Sequence, residues 1–445
     1  MHWREPFIWS ISDKTPLGLL GGVVLGVSLA WSSSALMNLL FAGGTPAADD
    51  GLQAEPAPGP IEVHEDEIQA KGISGLVGNT PLVRINSLSD ALGIEILGKA
   101  EWLNPGGSVK DRVALKIIDN AEREGHLIPF QGSTIFEGTV GSTGISIATM
   151  AKARGYNTTI VMPDDVADEK HKALLALGAR VVKVRPASIV DKKQFVNLAR
   201  EMALEFGEVP LVHSTDVEIT RMDSATSSDD PTHRNAPRGF FADQFENKAN
   251  HDAHFEGTGP EIWRQTNGGV DAFVSGAGTG GTIAGVGAYL KSMNPDIKVV
   301  LADPEGSGLY NKVKYGVLFD KKEKEGTKRR HQVDTVVEGI GINRLTNNFS
   351  LALPNIDDAY RVTDTEAVAM SRYLVGHDGL FLGSSSACNL VACVRLAKTM
   401  EKGSTIVTIL CDSGSRHYSK VRNDDYLEKA GIPHDPSIIR RLLAS

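Results

Sequence analysis

The chain has 445 residues, 41% of them hydrophobic and 23% charged, with 46 Lys and Arg against 55 Asp and Glu, a formal net charge of −9. These proportions exclude disorder throughout and, at roughly 100–200 residues per domain, allow two or three domains with a large core. The acidic balance and the lack of a long basic block exclude nucleic acid as the main partner. The run KKEKEGTKRR at 321–330 is interleaved with Glu and reads as a solvated loop. Cys388, Cys393 and Cys411 are odd in number and lie in apolar stretches. They read as reduced thiols, not as a disulfide framework or a metal site.

A tail at 1–16 precedes an uncharged stretch at 17–42, LGLLGGVVLGVSLAWSSSALMNLLFA, long and apolar enough to cross a bilayer core of about 30 Å as one helix. It exceeds the roughly 7–15-residue apolar core of a cleaved signal peptide, so a membrane anchor is expected. Arg4 and Lys14 before it and Asp49 and Asp50 after it would put the body across the membrane. Reduced thiols point the body to the cytosol, and they outweigh so few charges. Residues 43–70 follow as a flexible linker, of which 47–67 holds seven acids and no Lys or Arg.

From 71 to 445, short β-branched runs alternate with helical patterns. GIEILGKAEW, STIFEG, NTTIVMP and RVVKV read as strands, and VALKIIDNAEREG, GISIATMAKARG and EKHKALLALGA as helices. The alternation breaks at 214–238, a surface insertion rich in Ser, Asp and Pro. It resumes with DAFVSG, TIAGVGAYLKSM, IKVVLAD and TIVTILCDSG. Strand and helix in alternation imply α/β layers around mostly parallel sheets.

Four segments carry chemistry. In NPGGSVKDR at 104–112, a Gly-Gly turn leads to Ser108 as the expected N-cap and places Lys110 in the first helical turn. There the helix dipole disfavours an ammonium ion and favours a nucleophilic amine. FEGTVGSTG at 136–144 runs from a strand into a helix, and its small residues turn backbone N–H groups toward one point, which suits a carboxylate. SGAGTGGT at 275–282 can hold a phosphate through backbone amides and the Thr279 and Thr282 hydroxyls. Gly276, Gly278 and Gly281 also satisfy the dinucleotide pattern, with Asp303 where a ribose-binding acid would lie, so this segment alone leaves both readings open. GSSSA at 383–387 offers hydroxyls at another helix start.

Taken in this order, the four segments resemble the fold type II pyridoxal-phosphate enzymes, the cysteine synthase and cystathionine β-synthase family. QFENKAN at 244–250, TGPEIW at 258–263, VEGIG at 337–341 and DGLFLGSSSA at 378–387 extend the resemblance, which is nearest to the fungal membrane-anchored cysteine synthases. It implies a tryptophan synthase β-like α/β fold of two subdomains, the smaller at about 113–213, and a homodimer. It implies pyridoxal 5'-phosphate as cofactor, held by Lys110, with Gly278, Thr279, Gly280, Gly281 and Thr282 on the phosphate, Ser385 at the pyridine nitrogen, and Ser142 near the ring hydroxyl. Thr139, Gly141, Thr143 and Gln244 would receive the substrate carboxylate. The need for a lysine and a phosphate cradle together then favours phosphate over dinucleotide at the glycine loop.

The activity implied is β-replacement on an activated serine, O-acetyl-L-serine first, through an aminoacrylate to which sulfide adds to give L-cysteine. Serine-dependent cystathionine or cysteine synthesis and cysteine desulfhydration are alternatives. A membrane-tethered binding or scaffold protein is an alternative of another class. One departure bears on this choice. The family commonly has TSGNTG in the carboxylate loop, where this chain has TVGSTG at 139–144, so Val140 lacks a hydroxyl and Ser142 lacks an amide. The resemblance also implies the mitochondrial outer membrane as the location.

Overall fold

The computed structural model describes residues 71–187, 189–206, 236–320 and 335–444. The expected membrane helix at 17–42, the linker to residue 70, the run at 321–330 and the insertion up to residue 235 lie outside the described residues. Among the described residues no helix is long and apolar enough to cross a membrane.

Among the described residues, ten strands form two sheets. The larger holds β1 (Leu82–Arg84), β2 (Glu95–Ala100), β7 (Ala272–Gly276), β8 (Lys298–Pro304), β9 (Asp358–Val362) and β10 (Thr405–Leu410), in the spatial order β1-β2-β10-β7-β8-β9. Only the β1–β2 pair is antiparallel. The smaller is fully parallel, in the order β5-β4-β3-β6, from β3 (Thr134–Gly138), β4 (Asn157–Pro163), β5 (Arg180–Val184) and β6 (Gly239–Phe241). Parallel strands are covered by helices on both faces, so β3 and β7 are buried along their whole length and β4 from Thr158 onward.

The helices among the described residues include α1 (Lys110–Arg123), α2 (Ser142–Ala153), α3 (Asp168–Ala176), α4 (Phe195–Glu205), α5 (Gly281–Met293), α6 (Asp364–Asp378) and α7 (Ser384–Ala397). The stripe Val113, Ile117, Ile118 and Ala121 of α1 packs with Ile147, Met150 and Ala151 of α2. Each large aliphatic side chain buried there contributes about 1.5–3 kcal/mol. α7 is buried on nearly every side, and its Cys388 and Cys393 are free thiols in the core. The carboxyl ends of β3 and β7 feed α2 and α5, so two helix N-termini open at strand ends, where open α/β sheets bind ligands.

The turn before α1 is fixed by a buried ionic network. Arg112 meets Glu101 through Nε and Nη2, each at 2.8 Å, and Glu261 through Nη1 at 2.7 Å. Asn104 Nδ2 donates to Glu101 Oε2 at 2.7 Å, and Lys99 pairs with Glu261 at 2.6 Å. The expected cap is displaced by one residue: Val109 occupies the cap position of α1, because Ser108 is held in a β-bridge to Asp412. The Ser108 hydroxyl still accepts from the Lys110 N–H at 3.3 Å.

Candidate active site

Lys110 is the first residue of α1, and its side chain crosses to the glycine loop, with Nζ 3.3 Å from Thr279 Oγ1. Burial pushes its amine down to about 8. Desolvation is the cause, since an ammonium ion loses water here without gaining a carboxylate partner.

The loop after β7 is built for close approach. Gly280 sits at φ +90°, and a Cβ there would come within 2.5 Å of Phe349 Cα. A Cβ on Gly281 would overlap Asn250 Oδ1, and one on Gly278 would overlap Gly339 O. Asn250 Nδ2 donates to Thr279 Oγ1 at 2.8 Å, while Thr282 Oγ1 meets His254 Nε2 at 3.1 Å. His254 is fully buried, and burial holds its ring neutral. Beginning at Gly281, α5 leaves its first N–H groups without intrahelical partners.

The loop after β3 faces it. Gly141, at φ +133°, is the cap of α2, and the N–H groups of Ser142, Thr143 and Gly144 open the helix. Thr143 Oγ1 donates to Gln244 Oε1 at 2.5 Å, and Gln244 Nε2 lies 3.2 Å from Glu137 Oε1. Val140 turns into an apolar cluster with Phe195 and Val196 of α4.

Lys110, Thr139, Ser142, Thr143, Gln244, Gly278 and Thr279 line one cavity of about 220 Å³. An adjoining space of about 60 Å³ adds Gly280, Thr282 and Ser385 and shares Lys110, Ser142 and Thr279. Of the expected residues, Gly141 and Gly281 line neither; both act through backbone geometry at the two helix starts. Ser385 is buried beside the Cys411 thiol, which burial pushes up to about 12.

Sequence reasoning gave no role to a cluster at the same cavities. Lys170 of α3 forms a buried ion pair with Glu338, which Lys420 also meets at 3.0 Å, and His417 Nε2 lies 3.1 Å from Asp412 Oδ2. Burial pushes the Glu338 carboxyl up, but Lys170, Lys420 and His417 outweigh it and hold the group down at about 2. Glu338 stands inside VEGIG, so the motif marked the place but not the pairing.

These features fit a phosphorylated aldehyde cofactor. The glycine loop is a cradle that side chains would fill, Asn250 Oδ1 is buried there without a partner, and a largely desolvated amine stands 3.3 Å from the loop hydroxyl. A dinucleotide would use neither Lys110 nor the loop at 139–144.

Residues 73–412 match the family described as pyridoxal-phosphate dependent enzyme. The chain is 57% identical to cysteine synthase 2 of Schizosaccharomyces pombe over 374 residues, covering 84% of this chain and 89% of that protein. It is 50% identical to a Saccharomyces cerevisiae protein named "Putative mitochondrial cysteine synthase" over 83% of this chain and 87% of that one. Among solved structures, O-ureido-L-serine synthase superposes with a TM-score of 0.62 at 29% identity, covering 80% of this chain and 98% of that one. With Lys110, the glycine cradle and the carboxylate loop brought to one cavity, the chain belongs to the family of pyridoxal-phosphate dependent enzymes.

Proposed function

We propose that the chain forms L-cysteine from O-acetyl-L-serine and sulfide by β-replacement. The observation that carries this reading is Lys110 Nζ at 3.3 Å from Thr279 Oγ1, with the carboxylate loop opening on the same cavity. The 50–57% identity to cysteine synthases over most of the chain supports it.

When bound, pyridoxal phosphate supplies the electron sink that allows Cα to lose a proton and Cβ to lose its substituent. Lys110 would hold the cofactor through Nζ and would take the α-proton on that nitrogen. Gly278, Thr279, Gly280, Gly281 and Thr282 hold the phosphate with backbone N–H groups and two hydroxyls. Ser142, which lines both cavities, would face the ring hydroxyl. Ser385 offers the ring nitrogen a neutral hydroxyl in place of a carboxylate, which favours elimination over transamination. Thr139, Gly141, Thr143 and Gln244 would receive the substrate carboxylate and so orient the substrate in the cavity that Lys110 lines. Acetate leaves from Cβ, and sulfide enters through the wider cavity.

Supplying O-acetylserine with sulfide, serine with homocysteine, and cysteine alone tests the reading: cysteine formed from the first pair is expected, and turnover of serine with homocysteine alone would overturn it. The catalytic region, 71–445, is taken as two subdomains built on the two sheets, in a homodimer. Residues 17–42 are taken as a single membrane anchor, with the catalytic region facing the cytosol at the mitochondrial outer membrane; the name of the yeast relative supports the organelle. Deleting residues 1–45 should release active protein to the soluble fraction, and continued pelleting with membranes would count against a lone anchor.

A further inference from the structure

Glu137 is the penultimate residue of β3, two residues before Thr139, and is fully buried. Both of its oxygens engage one partner: Gln244 Nε2 lies 3.2 Å from Oε1, and the Gln244 backbone N lies 3.3 Å from Oε2. The remainder of the Gln244 amide is also occupied. Nε2 lies 3.3 Å from Gly138 O, and Oε1 accepts from the Thr143 hydroxyl at 2.5 Å. In this arrangement Gln244 turns its oxygen, an acceptor, toward the loop that must bind an anion.

A half-turn about the last side-chain bond exchanges the amide oxygen and nitrogen, and Glu137 decides which orientation holds. An ionised carboxylate only accepts, so it draws the amide nitrogen. A protonated carboxyl donates, so it draws the amide oxygen and leaves the NH₂ group facing Thr143. The turn gives up the 3.3 Å contact to Gly138 O and the 2.5 Å bond that Oε1 accepts from the Thr143 hydroxyl. It also frees the Thr143 hydroxyl to donate to an incoming carboxylate. Resting on the cysteine synthase reading above, we propose that Glu137 is the positioning residue for the substrate carboxylate: with its proton it holds the Gln244 NH₂ group toward the loop, and without it Gln244 turns its oxygen there and the carboxylate is repelled.

Burial first, and then the charge of Asp243, favour the protonated form of Glu137. Asp243, after β6, adds negative charge and is itself paired with Arg200 of α4 at 3.1 Å. Lys110 lies across the cavity, and β4 places Ile160 opposite. No cation among the described residues reaches ion-pair distance of Glu137, so burial with Asp243 pushes its carboxyl up to about 8.

The test uses the full-length holoenzyme and L-alanine, which has the carboxylate and amine of the substrate but no group to eliminate. Its dissociation constant is measured by calorimetry from pH 6.5 to 9.5, beside KM and kcat for O-acetylserine. The competent fraction falls from about 0.9 at pH 7 to about 0.1 at pH 9, so the wild-type constant should rise about tenfold more than that of Glu137→Gln, whose amide can donate at every pH. KM should follow this difference and kcat should not. Gln244→Ala serves as a second variant: weaker binding without the extra alkaline rise is expected. An alkaline rise equal in wild type, Glu137→Gln and Gln244→Ala overturns the role of Glu137. Absence of L-alanine binding at every pH overturns the amino-acid site itself, and with it the function proposed above.

Discussion

Lys110 Nζ stands 3.3 Å from the Thr279 hydroxyl, although 169 residues separate the two in the chain. The larger sheet brings them together. Val109 N donates to Cys411 O at 3.0 Å just beyond β10, Thr279 follows β7, and β10 and β7 are parallel neighbours. The nucleophile and the phosphate cradle are therefore positioned by two adjacent strands and not by either loop alone.

Desolvation of Lys110 has a measurable consequence. The neutral amine is the nucleophile, and with its pKa down at about 8 it is available well below the ordinary lysine range. Attachment of pyridoxal phosphate to cofactor-stripped protein, followed by the visible band, should reach its plateau rate just above pH 8 and slow about tenfold per unit below it. An inflection near the free-lysine value would show that the side chain is solvated.

Gly281→Ala should weaken cofactor binding at least tenfold without unfolding the chain. The new methyl group overlaps Asn250 Oδ1, and Asn250 is the residue that holds the Thr279 hydroxyl. Fluorescence titration with the cofactor reads the affinity, and circular dichroism reads the fold; unchanged affinity would remove the loop from the cofactor site.

Arg112→Ala removes a cation that is nearly fully buried and leaves Glu101, completely buried, without its charge partner. Breaking a buried pair in this way costs about 3–5 kcal/mol. Urea unfolding should show a loss of that size, and a change under about 1 kcal/mol would mean that the network contributes little to stability.

Val140 explains part of the unusual loop sequence. Its side chain packs with Phe195 and Val196, so the family's serine at this position would place a hydroxyl in an apolar cluster. Val140→Ser should lower thermal stability by about 1–2 kcal/mol. A neutral or stabilising result would shift the explanation for TVGSTG from packing to substrate choice.

Much of the fold was legible where burial is two-sided. NTTIVMP and RVVKV are the strands β4 and β5 residue for residue: β4 is central and reads as an unbroken apolar run, while β5, at the sheet edge, is legible from its three valines. β1 and β6 have three residues each, and β9 (DAYRV) mixes charge with apolar groups at a sheet edge, so none of them stands out from a loop. The family and its cofactor were legible because the loops are local: glycines, hydroxyls and a helix start lie within a few residues of one another. The Lys170–Glu338 pair spans 168 residues, and Lys170 sits in EKHK, which reads as a solvated helical face. Glu137 was likewise hidden, since only the third dimension shows that its neighbours withhold both water and a cation.

The most direct test of the central claim is cysteine formation by the purified full chain and by its Lys110→Ala variant, with O-acetyl-L-serine and sulfide and with visible absorbance recorded on the same samples. The account predicts a visible band and turnover in the wild type, and loss of the band with turnover down by at least about a thousandfold in the variant, as expected when the covalent nucleophile is removed. A colourless wild type, or a variant that keeps both band and turnover, would contradict it.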